Sequence, residues 1–216
     1  MINSEERYRQ AFAHIAEIKR ILCATEYALK DQRPATVLVT SAAPGEGKSL
    51  FVAALATAAA QSGKYRVAAL DLNWDRPALH RFFNLALTHS EKALCAAELS
   101  ALVCPSGQES LDILTAPGDY ADCFKGDTQA GAVTARLIGQ ARTAYDVVII
   151  DSAAIFPASE MMIDPVMLSG LADGVVMVVL TAATPRQQIR RAQKIMESSG
   201  ASILGVISNQ RKLSAP

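Results

Sequence analysis

The stretch Ala42-Ala43-Pro44-Gly45-Glu46-Gly47-Lys48-Ser49 follows directly on the apolar run from Ala35 to Thr40. That order leaves few folds open. An apolar strand, a tight glycine turn and a helix in succession aim consecutive backbone N–H groups into one concave loop at the positive end of the helix. Gly45 and Gly47 allow backbone angles and a close approach that a side chain would block. The natural guest of such a loop is a phosphate. Pro44, Gly45, Glu46, Gly47, Lys48, Ser49 and Leu50 are therefore the candidate nucleotide-binding positions, with Lys48 as the cation for the β- and γ-phosphates and the Ser49 hydroxyl as a Mg²⁺ ligand.

The rest of the chain agrees with that start. Tyr8, Phe12, Ile15, Leu22 and Leu29 recur at helical spacing, with Ser4 as a cap and Arg33-Pro34 as the stop, so residues 1–34 read as an amphipathic helix and linker. Residues 35–216 read as the nucleotide-binding domain to which that helix belongs. After strand 35–40, a helix is expected from Lys48 to about Ser62, where Gly63 stops it. Strand 66–70 ends at Asp71, helix 91–102 and strand 111–115 follow, then helix 128–144 and strand 146–150. Strand 174–180, helix 185–199 and strand 202–207 complete the pattern. The strands are apolar at nearly every position, as in Val147-Val148-Ile149-Ile150 and Val175-Val176-Met177-Val178-Val179. Strands covered by helices on both faces need that composition. The fold class implied is α/β, a doubly wound, mainly parallel sheet of the P-loop NTPase type, with ligand at the carboxyl ends of the strands.

Composition excludes several alternatives. At 216 residues, half of them hydrophobic, the chain suffices for one sizeable core. Lys plus Arg and Asp plus Glu stand at 21 each, so no basic excess argues for coating nucleic acid. The apolar runs are too short to span a membrane and Met1-Ile2-Asn3-Ser4 has no signal-peptide order, so no direct membrane insertion and a cytoplasmic location are expected. Cys23, Cys95, Cys104 and Cys123 share no metal-ligand spacing with one another or with His14, His80 and His89. Mostly structural thiols are expected, and no metal beyond the one a nucleotide brings.

Three more segments end at the edge where the phosphate loop lies. Asp71 opens Asp71-Leu72-Asn73-Trp74-Asp75-Arg76-Pro77, Asp151 ends Tyr145-Asp146-Val147-Val148-Ile149-Ile150, and Asn209 follows Gly205-Val206-Ile207-Ser208. Carboxylates at strand ends beside a phosphate loop are placed to hold Mg²⁺ directly or through water, which makes Ser49, Asp71 and Asp151 the candidate metal residues.

These ordered motifs, together with Leu111-Asp112-Ile113-Leu114 and Leu171-Ala172-Asp173-Gly174, resemble the bacterial tyrosine kinase family over nearly the whole chain. Members of that family are cytoplasmic P-loop modules of capsule and exopolysaccharide machines. The resemblance implies ATP or ADP with Mg²⁺ as ligands, Lys48, Asp71 and Asp151 as the catalytic set, and Asn209 at the adenine. It also implies a membrane-embedded polysaccharide chain-length regulator as partner, through its cytoplasmic tail, recruitment to the inner face of the membrane, and a homo-oligomer that phosphorylates tyrosines in trans.

The chain departs from the family pattern in four ways. Asn73 stands where a second Asp is usual, and an amide has neither the charge nor the basicity of a carboxylate. Asp75 lies two residues on and is either a replacement or a solvated surface charge. Ser152-Ala153-Ala154 stands where Thr-Pro-Pro is usual, and the segment from Phe156 to Pro165 is longer than the family pattern, so a more mobile loop over the γ-phosphate is expected, with Asp164 a weaker metal-site candidate within it. Phe12 stands where the family's assembly motif has an Arg, after Glu6 and Arg9. The five tyrosines are dispersed rather than clustered near the end, with Tyr8 and Tyr145 expected in the core. Three functions follow: an ATP-dependent kinase or ATPase regulating polysaccharide export, a non-catalytic nucleotide-sensing scaffold of the same system, or a MinD/ParA-type positioning ATPase. The third is disfavoured by Ala43, which aligns with the extra loop lysine of that group.

Overall fold

The computed structural model describes residues 15–30, 32–118, 127–157 and 162–210. Tyr8, Phe12 and the Ser4 cap assigned to the first helix lie outside them, as do Tyr120 and Cys123. In chain order the elements are α1 (Ile15–Ala28), β1 (Ala35–Ser41), α2 (Lys48–Gln61), β2 (Val67–Asp71), α3 (Leu79–Phe82), α4 (Glu91–Ala96) and α5 (Leu99–Leu102). They continue with β3 (Cys104–Pro105), β4 (Leu111–Leu114), α6 (Asp127–Ala144), β5 (Val147–Asp151), α7 (Pro165–Ser169), β6 (Gly174–Leu180), α8 (Arg186–Ser198) and β7 (Ile203–Asn209).

The strands build one sheet in the order β3-β4-β2-β5-β1-β6-β7. Every pairing is parallel except the short β3 against β4. Alternation along β1 divides the core in two, as the pleat requires. Val37 and Val39 join the cluster containing Leu22, Leu29, Phe51 and Leu55 from α1 and α2. Leu38 joins the opposite cluster with Leu137 of α6, Leu168 of α7 and Met196 of α8. Both faces are therefore covered, and β1, β2 and β5 are buried along their whole length. The expected doubly wound α/β architecture is what forms.

At the amino edge of the sheet, Asp173 accepts from the Thr36 N–H at 2.7 Å and from Arg142 Nη1 at 2.6 Å. This clamp ties α6 to the start of β1 and to the turn before β6. It fixes the end of the strand opposite the phosphate loop.

Several expectations need correction. The single helix over 91–102 is two short helices, α4 and α5, separated by extended backbone at Ala97 and Glu98. Tertiary contacts override local propensity here. Arg136 of α6 donates to the carbonyls of Leu94 and Ala97, and Gln140 Oε1 accepts from the Leu99 N–H at 2.8 Å. The helices α3 and α7 and the antiparallel β3 were not expected, because four- or five-residue helices and a two-residue strand leave no periodicity to read. Tyr145 is not fully in the core but half-buried, its hydroxyl donating to Asp112 Oδ2 at 2.8 Å. Cys23 is exposed, so it is not a structural thiol. Among the described residues no helix is long and apolar enough to cross a membrane.

Candidate functional site

The turn after β1 takes the shape its glycines allow. Gly45 has φ 81° and Gly47 has φ 95°, both in the left-handed region. Gly47 is constrained twice, since a Cβ there would lie 2.3 Å from Asn209 Nδ2. It is also the N-cap of α2 and gives that helix no side-chain cap, so the first-turn amides stay available to a ligand. The loop is braced from behind by Glu46, whose side chain is only 1% exposed. Its carboxylate accepts from the Ala43 N–H at 2.8 Å and the Leu180 N–H at 3.2 Å, and from the Thr184 hydroxyl. Asn209 Nδ2 donates to the Glu46 carbonyl at 2.9 Å. The loop is thus tied to the ends of β6 and β7 before any nucleotide arrives.

Lys48 is buried, and its Nζ donates to Ser41 Oγ at 3.0 Å. Burial holds its ammonium pKa below the ordinary lysine range, while Asp151 and Glu46 pull it back up. No salt bridge neutralises it among the described residues. A buried cation placed so is costly unless an anion joins it.

The two strand-end aspartates differ in their surroundings. Asp71 is fully buried, with Oδ1 accepting from the Asn73 N–H at 3.2 Å and Oδ2 from the N–H groups of Ala78 at 3.2 Å and Leu79 at 3.0 Å. Asp151, equally buried, has no partner at hydrogen-bond geometry for either carboxylate oxygen among the described residues. The Ser49 hydroxyl and Lys48 are near enough to favour its charged form, yet burial outweighs them and pushes its pKa up to about 6. Asp71 is raised well above the carboxylate range, first by burial and then by the Asp151 charge. An orphaned, buried carboxylate beside a buried lysine and a serine hydroxyl fits a site built for a divalent cation and a phosphate. Among the described residues, no three His, Cys, Asp or Glu side chains cluster as a metal site, here or elsewhere.

Lys48 and Ser49 line a cleft of about 360 Å³, whereas the fully buried Asp71 and Asp151 are not among the residues of its wall. Pro44, Gly45, Gly47, Lys48, Ser49 and Leu50 form one side of it. Asn73, Asp75 and Arg76 come from the β2 loop, and Ala153 and Ala154 from the segment after β5. Of the sequence-derived candidates, the Glu46 side chain points away from the cleft and Asn209 meets the loop from behind through that same residue's carbonyl. Asp75 is half-buried in the cleft wall and paired with Arg76 at 3.7 Å, so it is not the solvated surface charge it could have been. Asp164 caps α7, its Oδ1 accepting from the Val166 N–H at 2.8 Å. The longer loop expected from Phe156 to Pro165 lies partly outside the described residues; before it, Ser152 N and Oγ donate to the Val39 carbonyl, Ile155 N to the Ser41 carbonyl and Phe156 N to the Ala42 carbonyl. Phe82, Pro157 and Met162 complete an apolar wall that no motif announced.

Fold and site together define a P-loop nucleotide-binding protein. The chain belongs to the CobQ/CobB/MinD/ParA nucleotide binding domain family, whose model matches residues 37–216. It is similar to the tyrosine-protein kinase YwqD of Bacillus subtilis (strain 168), 32% identical over 194 residues that span 88% of this chain and 78% of the relative. It is 29% identical over 205 residues to the succinoglycan biosynthesis transport protein ExoP of Rhizobium meliloti (strain 1021), covering 94% of this chain and 25% of that larger protein. Among solved structures it resembles the VpsO kinase domain, with a TM-score of 0.75 and 26% identity, over 95% of this chain and all of that one.

Proposed function

We propose that this chain is an ATP-binding regulator of exopolysaccharide or capsule synthesis and export, acting in the cytoplasm as a tyrosine-kinase-type P-loop module. One observation carries the reading: a preformed phosphate loop and the buried Lys48 line one cleft, with the orphaned, fully buried Asp151 carboxylate close to Lys48 and Ser49. Similarity to YwqD and ExoP supports the biological setting.

The roles follow from the side chains. The amides between Gly45 and Ser49 receive phosphate oxygens, and Lys48 leaves Ser41 to meet the charge that develops on the transferred γ-phosphoryl group. Ser49 and Asp151 hold the Mg²⁺ that arrives with ATP, and Asp71, tied to three backbone N–H groups, acts mainly by its charge and by setting the β2 loop. Bound with the nucleotide, the ion neutralises phosphate charge. Asn209 braces the loop at the side where the base would lie. The partner is the cytoplasmic tail of a membrane-embedded chain-length regulator, which would bring the protein to the membrane's inner face.

A second reading, a nucleotide-sensing scaffold, is favoured by Asn73. Its Nδ2 donates to the Arg76 carbonyl at 3.0 Å, a structural duty that a catalytic carboxylate could not perform. Incubation with γ-labelled ATP, with and without the regulator's tail, separates the two. Label in free phosphate or protein supports the enzyme, whereas binding with neither supports the scaffold.

A further inference from the structure

Resting on that kinase reading, we propose that Tyr27 is a phosphoryl-acceptor site, presented by α1 to the nucleotide cleft of a second copy of this chain. Two other described tyrosines have committed hydroxyls. Tyr65 Oη donates to Glu26 Oε1 at 2.5 Å, with the Arg33 guanidinium 4.5 Å from its ring centroid. Tyr145 Oη donates to Asp112, and burial followed by that bond raises its pKa. Tyr27 is 87% exposed, and its hydroxyl makes no hydrogen bond among the described residues. Cys23, Ala24 and Ala28 beside it are small and exposed, so its ring projects clear of its own helix.

The cleft is shaped for such a visitor. Its floor carries Lys48 and Ser49, while Leu50, Phe82, Pro157 and Met162 give an apolar wall suited to an aromatic ring. Tyr27 cannot reach the cleft of its own chain. Leu29, two residues on, packs with Ala35 and Val147 at the amino edge of the sheet. The phosphate loop begins after Ser41, at the far end of a seven-residue strand that spans roughly 20 Å. The transfer therefore runs between copies. Tyr27 Oη bonds to the γ-phosphorus of ATP in the second copy, the bond from that phosphorus to the β,γ-bridging oxygen breaks, ADP leaves with the electron pair, and the phenolic proton passes to water.

The test mixes two variants of the full chain with Mg-ATP and maps phosphopeptides by mass spectrometry. Lys48→Ala keeps the acceptor without a working cleft; Tyr27→Phe keeps the cleft without the acceptor. The expected result is phosphate on Tyr27 of the Lys48→Ala chain in the mixture and none on that residue when the variant is alone. A benzophenone side chain installed at position 27 is expected to cross-link to the cleft wall of a second copy, at Met162 above all, independently of turnover. Phosphate on another residue with Tyr27 unmodified overturns this proposal and leaves the kinase reading standing. Free phosphate without any protein label overturns this proposal and leaves an ATPase, and no consumption of ATP overturns the proposal and the enzyme reading together. Cross-links confined to surfaces away from the cleft overturn the proposed presentation.

Discussion

Asp71 and Asp151 are Cα partners on the adjacent strands β2 and β5, yet one carboxylate accepts three backbone N–H groups and the other accepts none among the described residues. The pair thus divides into a structural member and a member left for a ligand. Asp151→Asn is expected to leave the fold intact and raise the thermal midpoint of the nucleotide-free protein by a few degrees, because a buried unpaired charge is removed. The same change should abolish the Mg²⁺ dependence of nucleotide binding. Asp71→Asn is expected to cost about 1–3 kcal/mol, since an amide cannot accept all three N–H groups. Thermal melts and titrations of both variants with and without Mg²⁺ check the division.

Acidification should act in opposite directions on stability and on ligand binding. The folded pKa of Asp151 is about 6 and that of Asp71 is also raised, burial leading in both cases. A carboxyl with a folded pKa above its unfolded value binds more protons in the folded state between the two. Their contribution to nucleotide-free stability therefore grows as pH falls from neutrality through 6 and toward the unfolded value near 4. Mg²⁺ needs the deprotonated carboxylate, so Mg-nucleotide affinity falls over the same interval. Melts and calorimetry at about pH 7.5 and 5.5 test both signs, and Asp151→Asn should shrink both effects.

Glu46 braces the loop from inside the protein. In Glu46→Gln the amide nitrogen must face an N–H of Ala43 or Leu180, or the Thr184 hydroxyl, and one buried donor loses its acceptor. The expected cost is about 1–3 kcal/mol of stability, with nucleotide affinity falling about tenfold as the loop loosens. Chemical denaturation and a nucleotide titration measure these separately.

Asn73→Asp exchanges a loop hydrogen bond for a charge in the cleft. Losing the bond to the Arg76 carbonyl is expected to cost about 0.5–1.5 kcal/mol of stability. If phosphoryl transfer in this chain lacks a base, turnover should rise at least tenfold, about 1.4 kcal/mol of barrier. If Asp75, already in the cleft wall, fills that role, Asn73→Asp should change turnover little and Asp75→Asn should remove most of it. Steady-state phosphate release distinguishes these outcomes.

How much of this was legible in the residues varied with how local the determinant is. The phosphate loop, the apolar strands and the strand-end aspartates are local patterns, and they stand where the chain suggested. Helix α2 starts at Lys48 because Gly47 alone can turn the chain there and still leave room for Asn209. The break between α4 and α5 was hidden, because Arg136 and Gln140 impose it from a helix roughly forty positions along the chain. The cleft's apolar wall was hidden too: Phe82 and Met162 are ordinary residues until folding brings them together. Likewise, the motif marks position 46 but says nothing of a carboxylate that reaches across to β6 and the loop after it.

The central claim is that Mg-nucleotide binds in this loop through Lys48, and isothermal titration calorimetry of ATP and ADP into the wild type and Lys48→Ala tests it most directly. One nucleotide per chain is expected to bind the wild type, strengthened by Mg²⁺, with affinity lost by at least about a hundredfold, or 2.7 kcal/mol, in the variant. Circular dichroism would establish that the variant remains folded. Wild type that takes up no nucleotide, or equal heats for wild type and folded variant, would contradict the account.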